Sequence, residues 1–263
     1  MFNYHTHTYR CRHAVGDVRH YAARASALGM EALGMSDHVP FRDHRWPGSR
    51  MSHRSLGGYF RAIDRAQRLF PDLRIFRGLE CEYDPALDDY YRELKETWHL
   101  DYLIGSVHWV HHEGQWLSMR QARTAAHLAS HARNLIQTME SGHFLFIAHP
   151  DNFGTWYRTW DENTRACSRD ILEAAAALGI PLEINGYGFR KARIQTPQGE
   201  RVPYPWKPFW EMAAGTGVRV LFNSDAHRPG DVYASADLGR ALMEECGLSE
   251  YDPLGDRYER KQN

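Results

Sequence analysis

The sequence predicts an α/β fold built on a parallel sheet, and three observations carry that prediction. Short apolar runs alternate with longer amphipathic stretches along the whole chain. Several of the longer stretches stop at a glycine, as in Leu28-Gly29, Leu178-Gly179 and Cys246-Gly247, where helices commonly end. No composition break or Ser/Gly-rich linker divides the 263 residues, a length that suits one barrel of about 250 residues.

The elements follow in order. Phe2 to Tyr4 is a first apolar run, and Asp17 to Leu28 a helix-like stretch after it. Ala32 to Met35 is the second strand, followed by the amphipathic stretch Leu56 to Leu69. Leu73 to Leu79 and Tyr102 to Val107 are the third and fourth runs, and Ala122 to Glu140 the next helix. Phe144 to Ala148, Asn163 to Leu178, Ile180 to Ile184, Val218 to Phe222 and Asp231 to Cys246 complete the alternation. Seven such units argue for a parallel sheet, closed as a barrel or open and doubly wound. A single domain is expected over 1–263, with a core to about residue 250 and a polar tail over 251–263. Three segments read as long loops, of the kind that often serve as lids: Pro40 to His53, Val110 to Met119 and Lys191 to Lys207.

Composition removes several classes of function. Lys plus Arg number 32 against 33 Asp plus Glu, a formal charge of -1, with an isoelectric point near 7.0. That balance gives no bulk attraction to nucleic acid or an anionic membrane. Mean hydropathy is -0.61, and no apolar run approaches the roughly 20 residues that span a bilayer. Cys11, Cys81, Cys167 and Cys246 form no Cys-x-x-Cys pair, so reduced thiols are expected. No signal-like segment precedes His5. The expectation is a cytoplasmic protein.

Sixteen histidines are the unusual feature. Many of them stand where predicted strands end. The first strand runs into His5-Thr6-His7, the second into Ser36-Asp37-His38 and the third into Gly78-Leu79-Glu80. The fourth closes on Gly105-Ser106-Val107-His108, the fifth on Ala148-His149-Pro150-Asp151 and the seventh on Asn223-Ser224-Asp225-Ala226-His227. The sixth leads into Asn185-Gly186-Tyr187-Gly188-Phe189-Arg190, with no ligand-type side chain at its end. In a parallel sheet all these ends gather on one face. Side chains two apart on a strand point the same way, so His5 with His7, and Asp225 with His227, face one centre. Imidazoles and carboxylates converging there are costly to bury alone, and Zn, Fe or Mn would satisfy them. His20, His44, His53, His99, His127, His131 and His143 fall in helices or loops and read as ordinary residues, with His111 and His112 closer to a ligand strand.

The motifs His5-Thr6-His7-Thr8, Cys11-Arg12-His13-Ala14, Ser36-Asp37-His38, Gly78-Leu79-Glu80, Gly105-Ser106-Val107-His108, Ala148-His149 and Ser224-Asp225-Ala226-His227 resemble those of the polymerase-and-histidinol-phosphatase (PHP) superfamily, in family order. They are most similar to its histidinol-phosphate phosphatase branch. The resemblance implies a distorted seven-stranded (β/α)7 TIM-like barrel with three divalent metals. It implies that His5, His7, Glu80 and Asp225 hold the first, Glu80, His108 and His149 the second, and His13, His38 and His227 the third. His13 enters through the resemblance alone. The implied reaction is hydrolysis of a small phosphate ester, L-histidinol phosphate foremost, by a metal-bridging hydroxide.

Arg190 matches an Arg common in this branch and is the expected phosphate contact, ahead of Arg50 and Arg228. Asp37 and Asp151 adjoin ligands and are candidates to orient them or to protonate the leaving group. The chain departs from the branch after Asn185, where Gly186-Tyr187-Gly188 replaces smaller residues and the following loop is longer. A nucleotide or sugar phosphate is therefore the alternative substrate. An exonuclease finds no basic aromatic groove in the sequence, and a non-catalytic metal module would be expected to have lost ligands.

Overall fold

The computed structural model describes residues 1–255. They fall into two compact units, one formed by Met1–Ile104 with Asn223–Ala236, the other by Gly105–Phe222 with the segment from Asp237 on.

The first unit runs β1 (Phe2–Asn3), α1 (Val18–Ala27), β2 (Ala32–Met35), α2 (Leu56–Leu69), β3 (Arg74–Cys81), α3 (Asp88–Trp98) and β4 (Tyr102–Gly105). The strands lie in the order β1-β2-β3-β4. β1 runs parallel to β2 with Phe2 opposite Ala32, and β2 parallel to β3 with Ala32 opposite Arg74. Asp17 and His20 form a capping box at the start of α1. α2 buries Leu56, Tyr59, Phe60 and Ile63, the 3.6-residue stripe of a helix lying on a sheet. Tyr102 lies against Gly34 of β2 and Gly78 of β3, and its hydroxyl donates to Tyr4 O at 2.6 Å. Its ring leaves no room for a side chain at two positions. A Cβ on Gly34 would lie 2.0 Å from the Tyr102 oxygen, and one on Gly78 2.4 Å from the ring.

Strand pairing in this unit continues past the strands into the chemistry-bearing residues. Ser36 N–H donates to Thr6 O at 3.0 Å, and Thr6 bridges Ala226 in parallel. His38 bridges Glu80 in the same sense.

The second unit carries β5 (Trp109–His112), β6 (Gln115–Ser118), α4 (Ala125–Glu140), β7 (Phe146–Ile147), α5 (Glu162–Leu178), β8 (Leu182–Asn185), α6 (Gly186–Phe189), β9 (Ile194–Thr196), β10 (Gly199–Arg201), α7 (Lys207–Ala213), β11 (Val220–Asn223) and α8 (Ala236–Glu245). Here the order is β7-β8-β11, with Ile147 opposite Leu182 in parallel. α4 and α5 pack together. Asp161 caps α5 by accepting the N–H groups of Asn163 and Thr164, and Gly179 ends it at a φ of 65°.

The α/β class is found, and all seven expected strands are present within two residues of their expected limits or as parts of them. Four details differ. α3 fills the unassigned stretch between the third and fourth strands, with Tyr90, Tyr91 and Leu94 as its short buried stripe among charged residues. Two of the three long loops are antiparallel hairpins, β5–β6 and β9–β10. The last helix begins at Ala236, after a 3₁₀ turn at Pro229–Asp231, where Pro229 starts a tighter turn. The polar tail lies outside the described residues from position 256 on. Among the described residues no helix is long and apolar enough to cross a membrane.

Candidate metal centre

Within the first unit the ladder between Thr6 and Ala226 sets two His-x-His-like pairs side by side. His7 N–H donates to Ala226 O at 2.9 Å, and Ala226 N–H to His5 O at 3.2 Å. The side chains at 5, 7 and 225 therefore leave the ladder on one face. His5 Nε2 lies 3.1 Å from His7 Nε2 and 3.6 Å from Asp225 Oδ1, which is 3.2 Å from His7 Nε2. Glu80, aligned by its bridge to His38, brings Oε2 to 3.4 Å from His5 Nε2, 3.5 Å from His7 Nε2 and 3.0 Å from His38 Nδ1. All five side chains are buried. The rings of His13 and His227 complete the group, 4.8 Å apart and with His227 4.4 Å from His7.

These spacings fit a metal. Bonds of about 2.0–2.2 Å to nitrogen and oxygen place neighbouring ligand atoms about 3.0–3.6 Å apart around one ion. His5, His7 and Asp225 form one such group, and His7, His38 and Glu80 another. The protonation states point the same way. Burial pushes His227 down to about 3, with His7 reinforcing it, and lowers His13 for the same two reasons. His38 is held well below 6.5, burial outweighing Glu80. Burial alone would raise Asp225, but His5, His227 and His7 hold it well below the usual carboxylate range. Neutral rings and ionised carboxylates are the forms that bind divalent ions. His7 differs. Burial opposes its proton, yet Asp225, Asp37 and Glu80 outweigh that and lift it to about 9. The cluster attracts positive charge.

Around these side chains the supports are specific. Asp37 accepts the Thr8 N–H at 3.1 Å, the Thr8 hydroxyl and the His38 N–H at 2.9 Å, while Oδ1 stands 3.7 Å from His7 Nδ1, too far for a hydrogen bond. Cys11 presents its sulfur beside His7 and His227, and its carbonyl accepts from His13 Nδ1 at 2.8 Å. Arg50 is 2 % exposed and committed to Glu82 at 2.5 Å and to Val39 O, so it is a core ion pair. Arg228 is exposed before the Pro229–Asp231 turn.

In the second unit His108 and His149 stand with ring centres 4.8 Å apart. Ser106 Oγ lies 3.3 Å from His108 Nδ1, and Asn152 Nδ2 3.1 Å from His149 Nδ1. Tyr204 sets its ring edge-on to His149 at 5.9 Å. Arg190 is half-buried, closes α6 and lies over the Tyr187 ring at 5.5 Å. Asp151 turns elsewhere. Its Oδ2 accepts from Trp206 N–H and from Trp210 Nε1 at 3.0 Å, and burial raises its pKa to about 6. It ties α7 to the end of β7 rather than orienting the His149 ring.

One buried carboxylate escaped the reading of strand ends. Glu183 lies on β8, two positions before its end, and accepts the His149 N–H at 3.1 Å. Asn185 donates to Glu183 at 2.7 Å. The signal was present, since a charged residue inside the apolar run Ile180 to Ile184 needs a partner.

The PHP domain model matches residues 3–186. The probable histidinol-phosphatase of Deinococcus radiodurans is 30% identical over 241 residues, 87% of this chain and 86% of that protein. The histidinol-phosphatase of Bacillus subtilis is 26% identical over 271 residues, covering 92% of this chain and 98% of that one. The crystal structure of histidinol phosphate phosphatase from Lactococcus lactis, complexed with zinc, L-histidinol and phosphate, superimposes with a TM-score of 0.73 at 20% identity, over 95% of this chain and 94% of that chain. That likeness gives a shared fold, and the family match gives kinship. The chain belongs to the PHP domain family, in its histidinol-phosphate phosphatase branch.

Proposed function

We propose that this chain is a metal-dependent phosphomonoesterase that converts a small phosphate ester, first of all L-histidinol phosphate, into the alcohol and inorganic phosphate. One observation carries the reading: His5 and His7, buried with Nε2 atoms 3.1 Å apart, each stand 3.2–3.6 Å from a carboxylate oxygen of Asp225 and of Glu80. Named histidinol-phosphatases matching most of both chains support the substrate, as does the L-histidinol and phosphate held by the Lactococcus lactis enzyme.

Three divalent ions, of zinc, iron or manganese, are the proposed complement. His5, His7, Glu80 and Asp225 are assigned to one, and His13, His38 and His227 to another. His108 and His149 supply the remaining imidazoles. Such ions, when bound, supply a water acidic enough to attack near neutral pH and neutralise phosphate oxygens. The protein groups position the rest. Arg190 offers a two-pronged fork to the phosphate. Asp37, by holding Thr8 and the His38 backbone, keeps the first and second ligand segments in register.

The test is phosphate release from L-histidinol phosphate against a panel of nucleotides and sugar phosphates, compared as kcat/KM. A preference of about 100-fold, equal to about 2.7 kcal/mol of transition-state discrimination, is expected. A flat profile, or a preference for another ester, would overturn the substrate and direct attention to the β9–β10 hairpin.

A further inference from the structure

β8 ends without an imidazole, yet it holds a carboxylate, Glu183, with no exposed surface. Packing alone does not call for one there, since an apolar side chain of similar volume would fill the space without desolvating a charge. Its oxygen Oε2 accepts two hydrogen bonds, from His149 N–H at 3.1 Å and from the Asn185 amide at 2.7 Å.

His149 needs such a hold. Its φ is 33°, in the left-handed region that residues with a Cβ rarely enter, and Pro150 behind it narrows its choices further. A backbone in that state persists only where its surroundings over-determine it. The bond from His149 N–H to Glu183 is one such determinant, and the turn closed by Asn152 N–H on His149 O at 3.0 Å is another. Asn185 in turn accepts the Gly188 N–H at 3.1 Å and caps α6, whose last cap is Arg190. One oxygen thus joins the backbone of His149 to the segment that carries Arg190.

We propose that Glu183 is a positioning residue, which fixes His149 in its unusual backbone conformation so that the imidazole is presented to a metal, and couples that placement to the α6 segment. The inference rests on His149 being a metal ligand.

The experiment compares the metal-loaded wild-type chain with Glu183→Asp, Glu183→Ala, Glu183→Gln and His149→Ala. Metal content after dialysis against graded zinc is read by elemental analysis, together with kcat and KM. The aspartate retracts the oxygen by one methylene and keeps the charge, so the readout does not depend on the alanine variant folding. Glutamine keeps an oxygen that can face the same two donors. The expected result is that Glu183→Asp and Glu183→Ala weaken one class of zinc about 10–100-fold. kcat should fall with it and KM should hold nearly steady, while Glu183→Gln stays close to wild type.

Full zinc affinity and kcat in Glu183→Asp, with zinc lost in His149→Ala, would overturn the positioning role alone. So would a loss in Glu183→Gln as deep as in Glu183→Asp, because charge rather than the hydrogen bond would then matter. Full zinc content in His149→Ala would overturn the ligand reading and this proposal with it.

Discussion

Thr6 and Ala226 form a parallel bridge, although more than two hundred residues of chain lie between them. The bridge decides the chemistry. It fixes the register in which His5 and His7 stand beside Asp225, so three ligand-type atoms from opposite ends of the sequence meet within 3.6 Å. The positive φ of Asp225, 47°, is the local cost of turning its carboxylate into that group.

Removing metal should therefore remove activity without unfolding the chain. Chelation at neutral pH is expected to lower phosphate release at least about 100-fold, and zinc or manganese to restore it. The unfolding temperature should rise with added metal, because a ligand that binds only the folded state stabilises it by mass action. Turnover that persists after exhaustive chelation, with metal content confirmed as nil, would contradict this.

Two arginine variants are expected to separate binding from folding. Arg190→Ala should reduce kcat/KM about 10–100-fold, as loss of a charged hydrogen-bond fork does, and leave the unfolding midpoint close to wild type. Arg50→Ala should do the reverse. It strands Glu82, itself 2 % exposed, without its partner, and breaking a buried pair costs about 3–5 kcal/mol. Urea denaturation and steady-state kinetics on both variants check the pair. An Arg50→Ala protein of full stability would show that the ion pair is not holding the loop before α2.

The packing of Tyr102 gives a third expectation. Gly78→Ala puts a methyl 2.4 Å from the Tyr102 ring, and overpacking of this kind costs about 1–3 kcal/mol. The cost should shrink when Tyr102 is first shortened, Tyr102→Leu, because the two sites share one contact. A double-mutant cycle by urea denaturation measures it. Additive losses would mean that the ring does not enforce the glycine.

The cap of α5 ties stability to pH. Burial would raise Asp161, but the hydroxyl of Tyr157 and the N–H groups of Thr164 and Asn163 hold its carboxyl below 3.8. A depressed carboxyl stabilises the fold above its unfolded pKa, and that contribution disappears as pH falls through the folded value. Asp161→Ala should cost about 1 kcal/mol at pH 7, as other caps do. The gap between wild type and variant should close as pH drops below 3.8. A gap unchanged by acid would assign the loss to something other than the ionised cap.

Much of the site was legible because a parallel sheet sends its strand ends to one face. His5, His7, His38, Glu80, Asp225 and His227 could be read from that rule alone, and all six sit in or beside one cluster. His13 could not, since it belongs to a turn whose path depends on a left-handed residue, Arg12 at φ 69°. Glu183 was missed for another reason. Attention to strand ends passes over a carboxylate one pleat earlier, although residues 183 and 185 share a face of the strand. Asp151 shows the converse, a residue whose neighbourhood in sequence suggested a metal site and whose side chain serves Trp206 and Trp210. The two hairpins within expected loops read as polar connections, because half-buried strands of three or four residues are too short to show an apolar alternation.

The most direct test of the central claim is the Asp225→Asn variant, measured for phosphate release and metal content in parallel with wild type. The change keeps the shape and removes the charge that His5, His7 and His227 surround. A fall in kcat/KM of about 1000-fold or more, about 4 kcal/mol, with reduced metal content and an otherwise folded chain, is the expected result. Wild-type turnover with full metal content would show that the cluster of His5, His7, Glu80 and Asp225 is not where the chemistry occurs.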